Sequence, residues 1–172
     1  MTIVSMGELL IDFVAVETGV PVGLVNSFVK AAGGAPANVA VAAARLGNQA
    51  AFLGMVGDDP FGHFLAETLA MEGVDVSGLK FTPKARTMLA FVSLAAAGER
   101  SFSFYRHPSA DMKMKPEDID FAVIDAAKVF HFGSITLINQ PARSATLAAA
   151  DRARDRDLLI SYDPNLRLNL WS

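Results

Sequence analysis

The sequence contains no cysteine, so neither disulfide bonds nor thiolate metal sites are available to it. It also has no basic run: 15 Lys and Arg residues stand against 18 Asp and Glu residues, giving a formal net charge of −3. A protein that binds the phosphate backbone of nucleic acids needs a basic patch or stripe, so we expect no nucleic-acid partner. The three histidines, at 63, 107 and 131, lack metal-ligand spacing, and we predict no metal site.

Long apolar runs are missing as well. No apolar stretch reaches the roughly 20 residues that a membrane-spanning helix needs. Residues 1–8, MTIVSMGE, lack the basic region and the long apolar core of a secretory signal peptide. We therefore expect a cytoplasmic protein without membrane contact, and its 172 residues, 52% of them hydrophobic, suffice to bury a core in one domain.

Two common nucleotide-binding motifs are incomplete or absent. Gly57 and Gly62 have the glycine spacing of a P-loop, but His63 and Phe64 occupy the positions that require Lys and Ser or Thr. No G-x-G-x-x-G follows the first predicted strand, which argues against a dinucleotide-binding fold. Neither motif therefore predicts a nucleotide site in this chain.

What the sequence does contain is an alternation of short apolar runs with helical segments, typical of an α/β protein with a largely parallel sheet. The predicted strands of this alternation are 3–6, 9–13, 49–56, 128–133 and 158–162, and the predicted helices are 36–46, 60–72 and 141–156. Two regions break the alternation and predict antiparallel strands: 25–31, and 88–94 with 100–105, joined through Ala97, Gly98 and Glu99.

The segment 32–40, AGGAPANVA, is the most informative part of the chain. Gly33 and Gly34 permit positive φ, and Pro36 fits the first turn of a helix whose free N–H groups attract oxygen-rich or anionic ligands. Asn38 lies in that first turn and can both donate and accept hydrogen bonds. Taken singly, the glycines predict only a turn and Asn38 only a helix cap. Their combination favours a ligand site.

Four blocks in this order give the sequence a family resemblance. They are GGAPAN with ARLG (33–38 and 44–47), FLGMVGDDPFG (52–62), SFYRHPSADM (103–112) and SYDPNLR (161–167). The set resembles the ribokinase-like (PfkB) carbohydrate kinases over residues 7–171, and the last two blocks are most similar to fructokinases. This resemblance implies a three-layer α/β/α fold with a mainly parallel sheet and a small β lid, the lid strands lying at about 25–31 and 88–106.

The resemblance also shows what is missing. Kinases of this family are longer, and the later Gly-Ala-Gly-Asp and Asn-x-x-Glu motifs of their nucleotide half do not occur here. We therefore interpret residues 1–172 as the amino-terminal, sugar-binding part of one ribokinase-like domain, with the catalytic base in the absent carboxyl-terminal part. ATP and Mg²⁺ are implied for the complete enzyme, and we expect neither to bind well to this chain alone.

By the same resemblance, nine residues are candidate substrate ligands: Asp12, Gly33, Gly34, Asn38, Tyr105, Arg106, Asp163, Asn165 and Arg167. Other roles are open for several of them. An aspartate at position 12 is also typical of a turn, and a packing tyrosine with a surface arginine would equally explain 105 and 106. Arg167 suits phosphate oxygens or a structural salt bridge. His107 stands where fructokinases often have asparagine.

The activity implied by the resemblance is transfer of the ATP γ-phosphoryl group to a sugar hydroxyl, with fructose favoured. A 2-keto-3-deoxygluconate kinase is an alternative, because its lid also uses tyrosine and arginine. A second alternative is a non-catalytic remnant that binds sugar weakly. Loss of a second half would leave the last strand with an unpaired edge, so a homo-oligomer or a separate second half are both candidate partners.

Overall fold

The computed structural model describes residues 2–94 and 100–171, and the predicted turn at 97–99 lies outside them. The strands are β1 Thr2–Met6, β2 Leu10–Thr18, β3 Phe28–Gly33, β4 Gln49–Gly57, β5 Val74–Asp75, β6 Leu79–Thr82, β7 Met88–Leu94, β8 Arg100–Tyr105, β9 Val129–Gly133 and β10 Leu159–Asp163. The α-helices are α1 Ala35–Arg45, α2 Pro60–Met71, α3 Phe121–Asp125 and α4 Ala142–Asp155.

The larger sheet is parallel throughout its described pairings, which confirms the predicted α/β class. Its strand order is β10-β9-β1-β4-β5, and β6 pairs with the carboxyl-terminal part of β4. The side chains of successive β4 residues are buried on opposite faces of the sheet. Phe52 belongs to one hydrophobic core cluster and Leu53 to the other. Helices α1 and α2 cover the Phe52 face, and α3 and α4 cover the Leu53 face, so the sheet is the middle of three layers.

Alanine spacing explains how closely the helices lie on the sheet. In α1 the buried alanines are Ala37, Ala40 and Ala43, and in α4 a similar row consists of Ala145, Ala149 and Ala153. Spacings of three and four residues place each row on one face of its helix. Because these side chains are small, the helix backbone approaches the sheet closely, and the start of α1 is held near the ends of the strands.

Helix α2 is anchored at its first turn by Asp59. Its carboxylate accepts hydrogen bonds from the backbone N–H groups of Phe61 and Gly62, at 3.1 and 2.9 Å, and from the backbone N–H of Thr87 at 2.9 Å. The Thr87 hydroxyl donates a further bond at 2.8 Å. Burial by itself would raise the pKa of Asp59, but these hydrogen bonds hold the pKa below its ordinary value. Asp59 thereby ties α2 to the segment that leads into β7.

The smaller sheet has the order β3-β2-β7-β8. Both regions predicted as antiparallel strands form strands in it, since β3 runs antiparallel to β2, and β7 antiparallel to β8. The segment 9–13, predicted as part of the strand and helix alternation, does not join the parallel sheet. It extends to Thr18 and becomes a central strand of the smaller sheet, where Asp12 pairs with Ala31 and Ala90. The pairing partners are distant in sequence, and local apolar pattern does not specify them.

Strand β10 is the last strand at its side of the larger sheet. Among the described residues it pairs with β9 only, and Leu159, Ile160 and Tyr162 are exposed. Neighbouring residues of a strand point to opposite faces, so apolar side chains are uncovered on both sides of β10. Within residues 2–94 and 100–171, no helix is long and apolar enough to cross a membrane.

Candidate functional site

A cavity of about 190 Å³ lies where the ends of the parallel strands meet the smaller sheet. This volume is several times the ~30 Å³ that one water molecule occupies in the liquid, so the cavity admits a small organic molecule. The first turn of α1, strands β2 and β8, and the segments after β1, β9 and β10 contribute its wall. The lining residues are Glu8, Leu10, Asp12, Gly34, Ala35, Asn38, Phe102, Phe104, Ile135, Asn165 and Arg167.

The start of α1 brings backbone and an amide side chain to this cavity. Gly34 precedes the helix with φ 113°, a conformation that favours glycine, and a Cβ atom there would collide with the carbonyl oxygen of Glu8. The backbone N–H of Asn38 donates to the Gly34 carbonyl at 2.9 Å, which leaves the Asn38 side chain to line the cavity. The Ser5 hydroxyl donates to the Pro36 carbonyl at 2.6 Å and fixes this turn to β1.

Gly33 has a different part in the site from its neighbour. Gly33 is absent from the cavity lining given by the described residues, but a Cβ atom there would collide with the carboxylate of Asp12. Asp12 is half-buried on β2 and does line the cavity. Glycine at position 33 therefore makes room for the Asp12 carboxylate on the neighbouring strand. Of the two predicted residues, Asp12 lines the cavity and Gly33 allows it to do so.

Three residues at the end of β10 and just after it were predicted as substrate ligands, and two of them line the cavity. Asn165 and Arg167 line the cavity, while Asp163 is exposed and its carboxylate accepts the backbone N–H of Asn165 at 2.9 Å. That bond closes a turn in which Asn165 has φ 36°. The guanidinium of Arg167 lies 5.6 Å from the ring centre of Phe102. The structure thus places Asp163 as a turn-forming residue outside the lining.

The two lid candidates, at the end of β8 and just after it, are not among the residues that line the cavity. Tyr105 is 66% exposed and packs edge-on against Phe91 with ring centres 5.3 Å apart. Arg106 is 2% exposed and forms an ion pair with Asp111 at 3.0 Å, and it also donates to the Ile135 carbonyl at 3.1 Å. The guanidinium of Arg106 is thus paired within the protein and is not among the lining residues, and its contact with substrate stays a prediction. Tyr105 fits the packing alternative.

Residue alternation along β8 explains the position of Tyr105. Phe102 and Phe104 stack on each other with ring centres 5.8 Å apart and face the cavity, whereas Ser103 and Tyr105 lie on the opposite face of the strand. The sequence predicts this two-sidedness but does not say which face meets the site. The apolar part of the cavity wall therefore includes a pair of phenylalanines.

Glu8 is a polar lining residue that the sequence prediction missed. It is 3% exposed, and its Oε1 accepts the backbone N–H of Ala35 at 3.1 Å. Burial raises the pKa of Glu8 to about 7, against backbone hydrogen bonds that lower it. A signal was available in the sequence, because Glu8 is a charged residue between the apolar runs 3–6 and 9–13. A charge within otherwise buried sequence often marks a functional group.

The arrangement suits a small hydroxyl-rich ligand. Carboxylate, amide and guanidinium groups from four different parts of the chain line the cavity together with two aromatic rings. Such a mixture supplies both acceptors and donors to hydroxyl groups while the rings limit water access. Across the described ranges 2–94 and 100–171, no three His, Asp or Glu side chains are grouped to hold a metal ion.

The comparison with known families agrees with this geometry. The model of the pfkB family carbohydrate kinases matches residues 1–172. The chain belongs to this family. Among curated pfkB-type relatives, it is 56% identical over 170 residues to the fructokinase of Solanum tuberosum, and the match covers 99% of this chain and 53% of that protein. The family resemblance and the fold expected from the sequence are thereby confirmed.

Solved structures of sugar kinases have the same fold. An uncharacterized sugar kinase from Pyrococcus horikoshii in complex with ATP superposes with a TM-score of 0.93 at 41% identity, covering 98% of this chain and 55% of that one. A fructokinase double mutant from Vibrio cholerae O395, in its fructose, ADP and potassium ion bound form, superposes with a TM-score of 0.85 at 41% identity, covering 99% and 52%. The chain spans about half the length of the pfkB proteins it matches.

Proposed function

We propose that this chain supplies the sugar-binding half of a fructokinase-like kinase, which transfers the γ-phosphoryl group of ATP to a hydroxyl of fructose. The observation that carries the proposal is the single cavity shared by Asp12, Asn38, Asn165 and Arg167. These residues come from β2, α1 and the segment after β10. Similarity to fructokinases over nearly the whole chain supports fructose as the sugar.

Each lining residue has a role that its chemistry suits. The Asp12 carboxylate accepts hydrogen bonds from sugar hydroxyls, and the Asn38 amide both donates and accepts. Because they stand on separate elements of the fold, together they orient the sugar as well as bind it. Orientation matters here, since phosphoryl transfer depends mainly on holding the acceptor hydroxyl in line with the phosphate and on stabilising charge. Arg167 suits the transferring phosphate oxygens.

The smaller sheet acts in this proposal as a lid over the sugar. Phe102 and Phe104 on β8 supply the apolar cover, and Asp12 on β2 supplies the polar contact from the same sheet. A lid of this kind excludes water from the transfer step. The lid therefore consists of β2, β3, β7 and β8, one strand more than the sequence predicts.

ATP and Mg²⁺ belong to the complete enzyme in this proposal. The related Pyrococcus horikoshii kinase binds ATP, and the Vibrio cholerae fructokinase binds ADP with fructose. The family resemblance implies that the magnesium contacts and the catalytic base belong to the later, nucleotide-binding part of these kinases. We propose that a second polypeptide segment contributes both, with this chain presenting the sugar.

One observation bears on the 2-keto-3-deoxygluconate alternative. That substrate carries a carboxylate, which a free arginine in the lid would bind, but Arg106 is buried against Asp111. Arg106 therefore gives the alternative no support. Among the described lining residues, Arg167 is the cation that an acidic sugar would have to use.

Calorimetric titration of the chain with fructose tests the sugar-binding role. We expect Asp12→Ala and Asn38→Ala each to weaken fructose binding by about 5- to 150-fold, since each removes hydrogen bonds worth about 1–3 kcal/mol. Asn26→Ala is the matched control, because Asn26 is exposed in the loop before β3 and does not line the cavity. Equal affinity in all four proteins would remove the site assignment. Tighter binding of 2-keto-3-deoxygluconate than of fructose would favour the alternative substrate.

A complementation assay tests the catalytic part. The chain is mixed with the separately produced second half of a related fructokinase, and formation of fructose phosphate from ATP is followed. We expect transfer only when both polypeptides are present, and less transfer with Asp12→Ala. Sugar binding without transfer in any mixture would support a non-catalytic sugar-binding protein instead.

A further inference from the structure

Glu8 is the most buried charged residue of the cavity wall. It lies between β1 and β2 and is 3% exposed, and it lines the same cavity as Asp12 and Asn38. One of its carboxyl oxygens, Oε1, accepts the backbone N–H of Ala35 at the start of α1. Glu8 is thus held against the first turn of α1 by one carboxyl oxygen, and its second oxygen, Oε2, needs a hydrogen-bond partner.

That second oxygen is buried without a partner. Among the described residues, Oε2 of Glu8 has no hydrogen-bond partner. Leaving a buried polar atom unsatisfied is unfavourable, and native structures rarely do so without a reason. Arg106, the buried cation nearby, is already committed to Asp111 and to the Ile135 carbonyl. The remaining source of a partner is a molecule in the cavity.

We propose that Glu8 is a further substrate-binding residue, with its Oε2 forming a hydrogen bond to one hydroxyl of the bound sugar. The inference rests on the proposed function, since it needs a hydroxyl-bearing ligand in this cavity. A hydroxyl is a suitable partner for either protonation state of Glu8, because it donates to a carboxylate and accepts from a carboxylic acid. The contact also links the sugar to Ala35, so that occupation of the cavity fixes the first turn of α1.

Glu17 provides a matched control in the same chain. Its Oε1 also accepts a backbone N–H, from Asn26 at 3.1 Å, and its Oε2 likewise has no hydrogen-bond partner within the described part of the chain. Glu17 is only partly buried, and it does not line the cavity. Substitutions at 8 and 17 therefore remove the same local bond, but only the first removes a group from the ligand space.

The test combines protein variants with sugar variants. Fructose and a set of deoxy analogues, each lacking one hydroxyl, are titrated calorimetrically into the wild-type chain, Glu8→Met and Glu17→Met. Methionine keeps the length of the side chain without a strong hydrogen-bonding group. We expect one analogue to bind the wild type and Glu17→Met about 10-fold more weakly than fructose does, and to bind Glu8→Met as well as fructose does. Loss of the Ala35 bond alone would weaken all sugars equally and would not produce this pattern.

The outcomes separate this inference from the proposed function. If every analogue loses the same factor in Glu8→Met as in the wild type, while Asp12→Ala still weakens binding, the Glu8 contact is wrong and the sugar site stands. If the wild type binds no sugar, both fail. Should Glu8→Met not fold, Glu8→Ala removes both carboxyl oxygens and takes its place in the same titrations. A wild type that binds every deoxy analogue as tightly as fructose would also overturn the contact, because no single hydroxyl would then be held by Glu8.

Discussion

Replacing Glu8 by glutamine should stabilise the chain above neutral pH and change its stability little in acid. Burial raises the pKa of Glu8 from 4.5 to about 7. In the unfolded chain Glu8 ionises near 4.5, so between about 4.5 and 7 folding takes up a proton and stability falls as the pH rises. Above about 7 the carboxylate is ionised in both states, and the folded state bears the full cost of a buried charge.

The expected size follows from the same shift. The gap between 4.5 and about 7, at about 1.4 kcal/mol per pH unit, corresponds to about 3 kcal/mol. A neutral amide keeps an acceptor for the Ala35 N–H and avoids this cost. The advantage of Glu8→Gln over the wild type should therefore grow by about 2–3 kcal/mol between about pH 5 and pH 8.

Urea unfolding of both proteins at the two pH values measures this difference, and other carboxylates cancel because they are common to both. Glu17→Gln is the control. Hydrogen bonds, the first of them within Glu17 itself, lower the pKa of Glu17, so its substitution should give no gain at high pH. The reasoning would be refuted if the free energies of unfolding of Glu8→Gln and the wild type differed by the same amount at both pH values. Such a stability cost is typical of residues kept for function.

Three further predictions concern the fold around the site. Asp59→Ala should lower the free energy of unfolding by about 1–3 kcal/mol in a urea titration, because it removes the cap of α2 and the acceptor of the buried Thr87 N–H; an unchanged midpoint would contradict this. Arg106→Met should lower the free energy of unfolding by about 3–5 kcal/mol, because it leaves the Asp111 carboxylate buried without its ion-pair partner. Adding Asp111→Leu to that variant should recover part of the loss, and strictly additive losses would contradict the pairing. Ile160→Lys should reduce self-association measured by sedimentation velocity, because a charge on the open strand β10 opposes edge pairing; a monomeric wild type would contradict the open-edge argument.

Structural features that depend on neighbouring residues could be predicted from the sequence, whereas features that depend on packing between distant segments could not. The Gly34 turn was predictable, because positive φ and a proline at the helix start depend on residues next to one another. The alternation of β8 was predictable too, since side chains of any strand alternate, but the face that meets the cavity depends on where the sheet docks. That docking places Phe102 in the site and Tyr105 outside it.

The sequence by itself determined the α/β class, the family and the local turn chemistry at Gly34 and Asn38, because short-range patterns and ordered blocks carry that information. Only the tertiary structure decided that Asp12 belongs to the smaller sheet, that Arg106 is consumed by a buried ion pair, and that Glu8 reaches the cavity. Asp12 and Glu8 depend on contacts between distant segments, β2 with β7 and Glu8 with Ala35. Arg106 pairs with the nearby Asp111, but it also bonds to the distant Ile135. The burial of these side chains and their contacts with distant segments arise only when the layers of the fold pack together, so local sequence patterns do not predict them.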